Sequence, residues 1–148
     1  MMLQLGTRVA DIAHVIQLAV APVFLLSGVA ATLTVLTNRL ARIIDRARNI
    51  ETALPSALAD AIDGLHRELN TLSRRATLIH RAITLCTACA LLICVVIIML
   101  FLGALLTTEI SALTALVFIV ALCAYLGALV SFLLEIRVAT ASMSFGPK

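Results

Sequence analysis

Three long runs of uncharged, mostly apolar residues divide the chain. They cover residues 12–38, 82–108 and 110–134. About 20 such residues are enough to cross a hydrocarbon core of roughly 30 Å as a helix. The pattern therefore predicts an all-α membrane protein with three transmembrane helices, at about residues 12–37, 82–106 and 110–134, within a single membrane domain of residues 1–148.

The stretch between the first two runs, residues 38–81, has a different period. Its apolar residues recur at alternating spacings of four and three, which is the pattern of a coiled-coil seam. Pro55 disfavours helix at Leu54 and breaks the pattern once. Two antiparallel arms can bury such seams against each other. We expect helices 1 and 2 to extend into a coiled-coil hairpin whose seam contains Leu40, Ile43, Ile50, Leu58, Ile62, Leu65, Leu69 and Leu72.

The same stretch carries eight of the eleven basic residues. Lys and Arg are retained in the cytoplasm during membrane insertion, so the hairpin is predicted to be cytoplasmic. With three spans, the N-terminus is then outside and the C-terminus, including a tail at 141–148, is inside. This topology explains the arginines better than nucleic-acid binding does, and no nucleic-acid partner is expected.

A stripe of small residues on the third run ends in a carboxylate. Small residues at helical spacing form close-packing surfaces in membranes. We expect Glu135 to find a partner at the inner interface, where Arg39 and Arg81 arrive at the same depth. The arms also differ in length, which brings residues 75–81 level with Asn38. The stripe contains Val117, Ala121, Ala124, Ala128, Ser131 and Glu135.

The first run carries more polar residues than a span requires. They follow two helical stripes, and two interpretations remain open. Small and hydroxylated residues can let membrane helices pack closely and hydrogen-bond across the contact. Alternatively, one stripe lines a water-filled path. The candidates for lining such a pore are His14, Gln17, Ser27, Thr34 and Asn38.

The chain contains little that indicates catalysis. Cys86-x-x-Cys89 has the spacing of a redox or metal pair, but both residues fall inside a predicted membrane helix, where small packing residues are the preferred interpretation. The sequence offers no nucleophile with a base, no paired carboxylates and no phosphate-binding glycine loop. We expect no enzyme activity, no metal site and no cofactor.

Several short motifs, in this order, resemble a known family. They are Pro22 with Leu26-Ser27, Thr37-Asn38-Arg39-Leu40, the arginines at 42–48, Arg74-Arg75-Ala76 and Glu135-Ile136. Together they are similar to the small bacterial membrane proteins of the domain of unknown function 2721 family, over roughly residues 9–140. The resemblance implies three membrane helices with an arginine-rich cytoplasmic hairpin, in the bacterial inner membrane. It implies no established activity.

Two functions of different classes follow as hypotheses. The first is a homo-oligomeric ion channel, because three short helices seldom enclose a path alone and several copies around an axis could. The second is a non-conducting membrane scaffold or accessory subunit whose basic hairpin docks a protein partner or anionic lipid. Basic residues just inside a membrane each contribute about 1 kcal/mol to the attraction of anionic lipid. A pH sensor built on His14 is compatible with the channel.

Overall fold

The computed structural model describes residues 2–56, 59–106 and 110–143, and this part of the chain is helical throughout except at Ile110. Helix α1 covers Met2–Ala53, a 3-10 helix covers Leu54–Ser56, α2 covers Ala59–Leu106 and α3 covers Ser111–Met143. The segments Ala13–Ala53, Ala61–Leu106 and Ser111–Thr140 are each long and apolar enough to span a membrane. The prediction of three such helices is confirmed.

Two sequence-based expectations concern residues outside the described part. Leu58 of the predicted seam lies between the described ranges. The end of the tail, residues 144–148, lies outside as well. The break in the seam is described, since α1 ends at Ala53, directly before the Leu54–Ser56 turn that contains Pro55. Proline at this position cannot continue the helical hydrogen bonding.

Helix α1 buries one face at seven-residue intervals. A fully buried column is flanked by a half-buried one, and the two are separated by alternating spacings of four and three residues. The predicted seam was found in the sequence from Leu40 onward, and in the structure the same buried face extends back to Pro22. The sequence did not reveal this part of the face because most of its neighbours in the first run are also apolar. The buried column contains Pro22, Val29, Leu36, Ile43 and Ile50, and the half-buried one contains Leu26, Leu33, Leu40 and Ala47.

Helix α2 has the matching arrangement. Of the predicted seam residues, Ile62, Leu65 and Leu69 are half-buried and Leu72 is buried. The seam continues beyond the hairpin through Ile79, Cys86 and Ile93, which are all fully buried. From Arg75 onward a third inward column joins it, at positions where the helix meets a second neighbour. This column contains Arg75, Ala82, Cys89, Val96 and Gly103.

Helix α3 buries a column of four residues one heptad apart: Thr114, Ala121, Ala128 and Glu135. The small residues allow backbones to approach closely. Gly127, beside this column, shows how closely α3 approaches α2. A Cβ added to Gly127 would lie 3.3 Å from Cδ1 of Leu85 on α2. The predicted small-residue stripe therefore coincides with the packing face, and its last member is a carboxylate.

The chain divides into two compact units. Unit 1 contains Met1–Thr32 and Cys86–Tyr125, and unit 2 contains Leu33–Leu85 and Leu126–Lys148. Each unit has parts of all three helices. In unit 1, α1 and α3 are joined by a hydrogen bond of 3.0 Å between the hydroxyl oxygens of Thr32 and Tyr125. Unit 2 contains the hairpin arms and the ion pairs described below.

Candidate functional site

Glu135 is fully buried in unit 2 although it carries a charge. It stands in the α3 column one heptad after Ala128, where the backbone directs its side chain toward the other two helices. Removing an ionised carboxylate from water costs several kcal/mol, and only close cations and hydrogen bonds can offset that cost. The surroundings of Glu135 are therefore the best-defined polar site in the described part of the chain.

Arg75 of α2 makes the stronger contact with this carboxylate. Its Nε donates to Oε1 of Glu135 at 3.0 Å, and its Nη2 donates to the same oxygen at 2.9 Å. The Arg75 side chain is itself largely buried, with 21% of its surface exposed. Charge-assisted bonds of this length are about twice as strong as neutral ones. The contact thus joins α2 to α3 through an ion pair that is largely shielded from solvent.

Arg39 of α1 approaches the other carboxylate oxygen. Its Nη1 lies 3.3 Å from Oε2 of Glu135. Oε2 nevertheless accepts no hydrogen bond within the described part of the chain, so the contact is an ion pair without hydrogen-bond alignment. The guanidinium also lies over the ring of Phe132, 5.2 Å from its centroid. A cation over an aromatic face is attracted by the ring quadrupole. Arg39 is therefore oriented by two groups of α3.

The second partner of Glu135 was expected to be Arg81, and the structure has Arg75 in that place. Arg81 is exposed on the outer side of α2. The reason is helical phase. Arg75 stands seven residues before Ala82 and fourteen before Cys89, both fully buried, so it shares their inward face. Arg81 lies one position away from Ala82, about 100° around the helix. The seven-residue repeat was the signal in the sequence that could have identified Arg75.

Two further arginines complete a basic concavity in unit 2, which we call the arginine pocket. It has a volume of about 210 Å³ and is lined by Arg39, Arg42, Arg46 and Arg75 over the apolar floor of Ile43 and Leu72.

The two arginines added by α1 differ in their contacts. Arg46 pairs across the arms with Glu68, with its Nε and Nη2 each 2.8 Å from Oε1. Arg42 is exposed and forms no ion pair within the described residues. One guanidinium in the pocket is therefore free to meet an incoming anion.

The five pore-lining candidates do not converge on a site inside one chain. All are exposed, on the half of α1 that faces away from its buried column. They occupy neighbouring outward columns rather than one line. In the described residues the side chains of Gln17, Ser27 and Asn38 make no hydrogen bond, whereas Thr34 has a partner.

The cysteines and histidines lie apart. Cys86 and Cys89 are buried in adjacent columns of α2, as free thiols, where small side chains pack. His14, His66 and His80 are exposed. Within the described ranges, no group of three or more His, Cys, Asp or Glu side chains could hold a metal ion.

Comparison with known proteins gives one match. Residues 19–145 match the family described as "Protein of unknown function (DUF2721)", which covers most of the chain. No curated protein matches the chain, and no solved structure does.

Proposed function

The chain belongs to the DUF2721 family of proteins of unknown function, and from this premise we propose that it is a homo-oligomeric membrane channel in which copies of α1 line the path. The proposal includes the topology argued from charge: the N-terminus outside, the hairpin and C-terminus in the cytoplasm, and the bacterial inner membrane as the location. Three helices long and apolar enough to cross a membrane support a multi-pass protein.

One observation carries the proposal: the outward half of α1 presents unpaired polar side chains within a membrane-spanning segment. Gln17 and Ser27 are exposed and make no hydrogen bond in the described part of the chain, and the same holds for Asn38 directly after the predicted span. Hydrocarbon cannot satisfy such groups, and an unsatisfied polar group there costs several kcal/mol. A second copy of the helix and a water-filled path would satisfy them.

The arrangement inside each chain also favours a path between copies over a path within one. In unit 1 the inward columns of α1, α2 and α3 are occupied by apolar and small side chains, such as Val29, Ile93 and Ala121, which are all fully buried. No polar line replaces them within the described helices. An aqueous route needs polar lining, and among the described residues the outward half of α1 carries polar side chains that could provide it.

Ion flux into liposomes reconstituted with the full chain tests the proposal. We expect conductance from the unsubstituted protein and a flux about fivefold lower for Ser27→Val, since a lost hydrogen-bonding group is worth about 1 kcal/mol to a passing ion or its water. The matched control is Thr37→Val, an exposed hydroxyl on another column of α1 that already donates to the carbonyl oxygens of Leu33 and Thr34. Absence of flux at every pH and voltage would refute the channel.

The second candidate is the non-conducting scaffold, and it is favoured by the charged outer surface of the hairpin. Among the described residues 38–81, Ile44 is the only exposed large hydrophobic side chain. A docking surface there would work through its exposed arginines, such as Arg67 and Arg74, toward an acidic partner or anionic lipid. Crosslinking in intact cells that recovers only further copies of the chain would count against a protein partner and for the channel assembly.

A further inference from the structure

The arginine pocket has more positive charge than its own contacts neutralise. Four guanidinium groups line it. Two carboxylates pair with them, Glu135 with Arg39 and Arg75, and Glu68 with Arg46. Two positive charges are therefore left over within the described surroundings. An anion entering the pocket would meet an attractive field without displacing an internal partner.

The contacts that do exist hold the guanidinium groups in place. Arg75 uses only its Nε and Nη2 toward Glu135, and Arg39 only its Nη1. Each guanidinium has five N–H donors, so several donors remain on both groups. Phe132 supports Arg39 from one side. Such orientation lowers the entropy cost of binding, and the planar fork of Arg matches phosphate oxygens two at a time.

The pocket lies where an apolar surface gives way to a charged one. In unit 2 the exposed hydrophobic residues of α1 and α3 reach Val35 and Leu134, next to the charged contacts, and only Ile44 is exposed further along α1. Directly after this boundary come Arg39, Arg42 and the buried Glu135. In a membrane protein, lipid phosphates occupy the level at which the apolar surface ends.

From this geometry we propose that the arginine pocket is a binding site for a phosphate group, the chemistry that an anionic phospholipid headgroup and soluble phosphate share. Arg42 is the residue that meets the ligand first, because it is exposed and has no ion-pair partner in the described chain. Arg39 and Arg75 provide the fixed back of the site, and Arg46 provides its side. The site lies wholly in unit 2 and does not depend on ion conduction.

Binding to the full chain in an uncharged detergent tests the site. Phosphatidylglycerol in mixed micelles is titrated and bound lipid is counted by native mass spectrometry, with phosphatidylcholine as the zwitterionic comparison. Inorganic phosphate and pyrophosphate are titrated separately by calorimetry. Tight phosphatidylglycerol binding with none of the soluble anions identifies a lipid headgroup as the source, and the reverse identifies a soluble phosphate compound.

Two single substitutions separate a built site from general charge attraction. Arg42→Gln removes the unpaired guanidinium of the pocket and is expected to weaken binding about fivefold, as loss of one basic residue near a lipid surface does. Arg48→Gln, an exposed arginine of α1 outside the pocket lining, is the control and is expected to leave binding unchanged. The proposal would be overturned if both substitutions weakened binding equally or if neither weakened it. It would also be overturned if none of the probes bound.

Discussion

Units 1 and 2 contain parts of the same three helices but hold them together with different chemistry. In unit 1 a side-chain hydrogen bond between α1 and α3 joins two neutral hydroxyls, those of Thr32 and Tyr125. One heptad further along each helix, in unit 2, the corresponding residues are Arg39 and Phe132, which contact each other as a cation and a ring. The same seven-residue packing repeat of α1 and α3 therefore contains a contact between neutral groups in unit 1 and a contact with a charged group in unit 2.

The comparison shows where a membrane helix bundle can contain charge. The buried column of α3 holds Ala121 in unit 1, then Ala128 and Glu135 in unit 2. A carboxylate is tolerated at Glu135 because α1 and α2 each bring an arginine to it. Unit 1 exposes apolar side chains such as Phe24 and Leu105, whereas unit 2 exposes apolar side chains such as Leu134 together with arginines such as Arg42 and Arg46.

The largest effect is expected from Glu135→Ala. The substitution leaves Arg39 and Arg75 without their carboxylate, and breaking a buried ion pair costs about 3 kcal/mol, the lower end of the usual range because both arginines keep some contact with water. The control is Glu68→Ala, which breaks the exposed Arg46 pair and should cost about 0.5 kcal/mol. Thermal unfolding of the full chain in detergent measures both. Equal melting temperatures for the two variants would show that burial of Glu135 does not contribute to stability.

A second comparison uses buried apolar residues. On the proposed topology, which places the hairpin in water, Leu72→Ala should lower the free energy of unfolding by about 2.5 kcal/mol, the usual cost of a large-to-small substitution in a water-soluble core. Ile93→Ala in unit 1 should cost about half as much, because lipid tails are as apolar as the core and only the packing contacts are lost.

Unfolding of both variants by sodium dodecyl sulfate in lipid bicelles measures the difference. Because the two side chains have similar volume, the ratio of the two costs reports the surroundings of each unit. A larger cost for Ile93→Ala than for Leu72→Ala would contradict the proposed placement of the hairpin in water.

The smallest effect is expected from Tyr125→Phe, which removes only the hydroxyl that faces Thr32 at 3.0 Å. Hydrogen bonds between membrane helices contribute about 0.6 kcal/mol on average. Thr32 also donates to the carbonyl oxygen of Gly28, so its own hydroxyl remains paired after the substitution. A double-mutant cycle with Thr32→Val measures the coupling. A coupling as large as the cost of Glu135→Ala would remove the contrast between the two units.

Much of the fold was accessible from the sequence because local physics specifies it. The apolar runs predicted three membrane-capable helices, and these are present. Pro55 predicted the end of the first helix, which ends at Ala53. The seam from Leu40 to Leu72 predicted the inward face of both arms, and its described members are buried or half-buried. In each case the period of the pattern and the backbone limits of proline act within one helix.

The candidate site was only partly accessible. Glu135 stood out because a carboxylate ended a stripe of small residues, and Arg39 was expected beside it. Arg75 and Arg81 could not be separated by depth along the helix, since both lie near the same level. Their difference is one of direction around the helix. The seven-residue spacing of Arg75, Ala82 and Cys89 indicates that direction, but the burial of Ala82 and Cys89 was needed to distinguish their face from the other apolar faces of the helix.

The sequence by itself determined the helices, their inward periods and the concentration of arginine in residues 38–81, because hydropathy and helical spacing are properties of one segment at a time. The tertiary structure decided which charges meet. It placed Arg75 rather than Arg81 on Glu135, gathered Arg39, Arg42 and Arg46 around one pocket, and left the polar half of α1 exposed. These outcomes depend on the relative rotation of separate helices, which is fixed by side-chain packing between them rather than by any one segment.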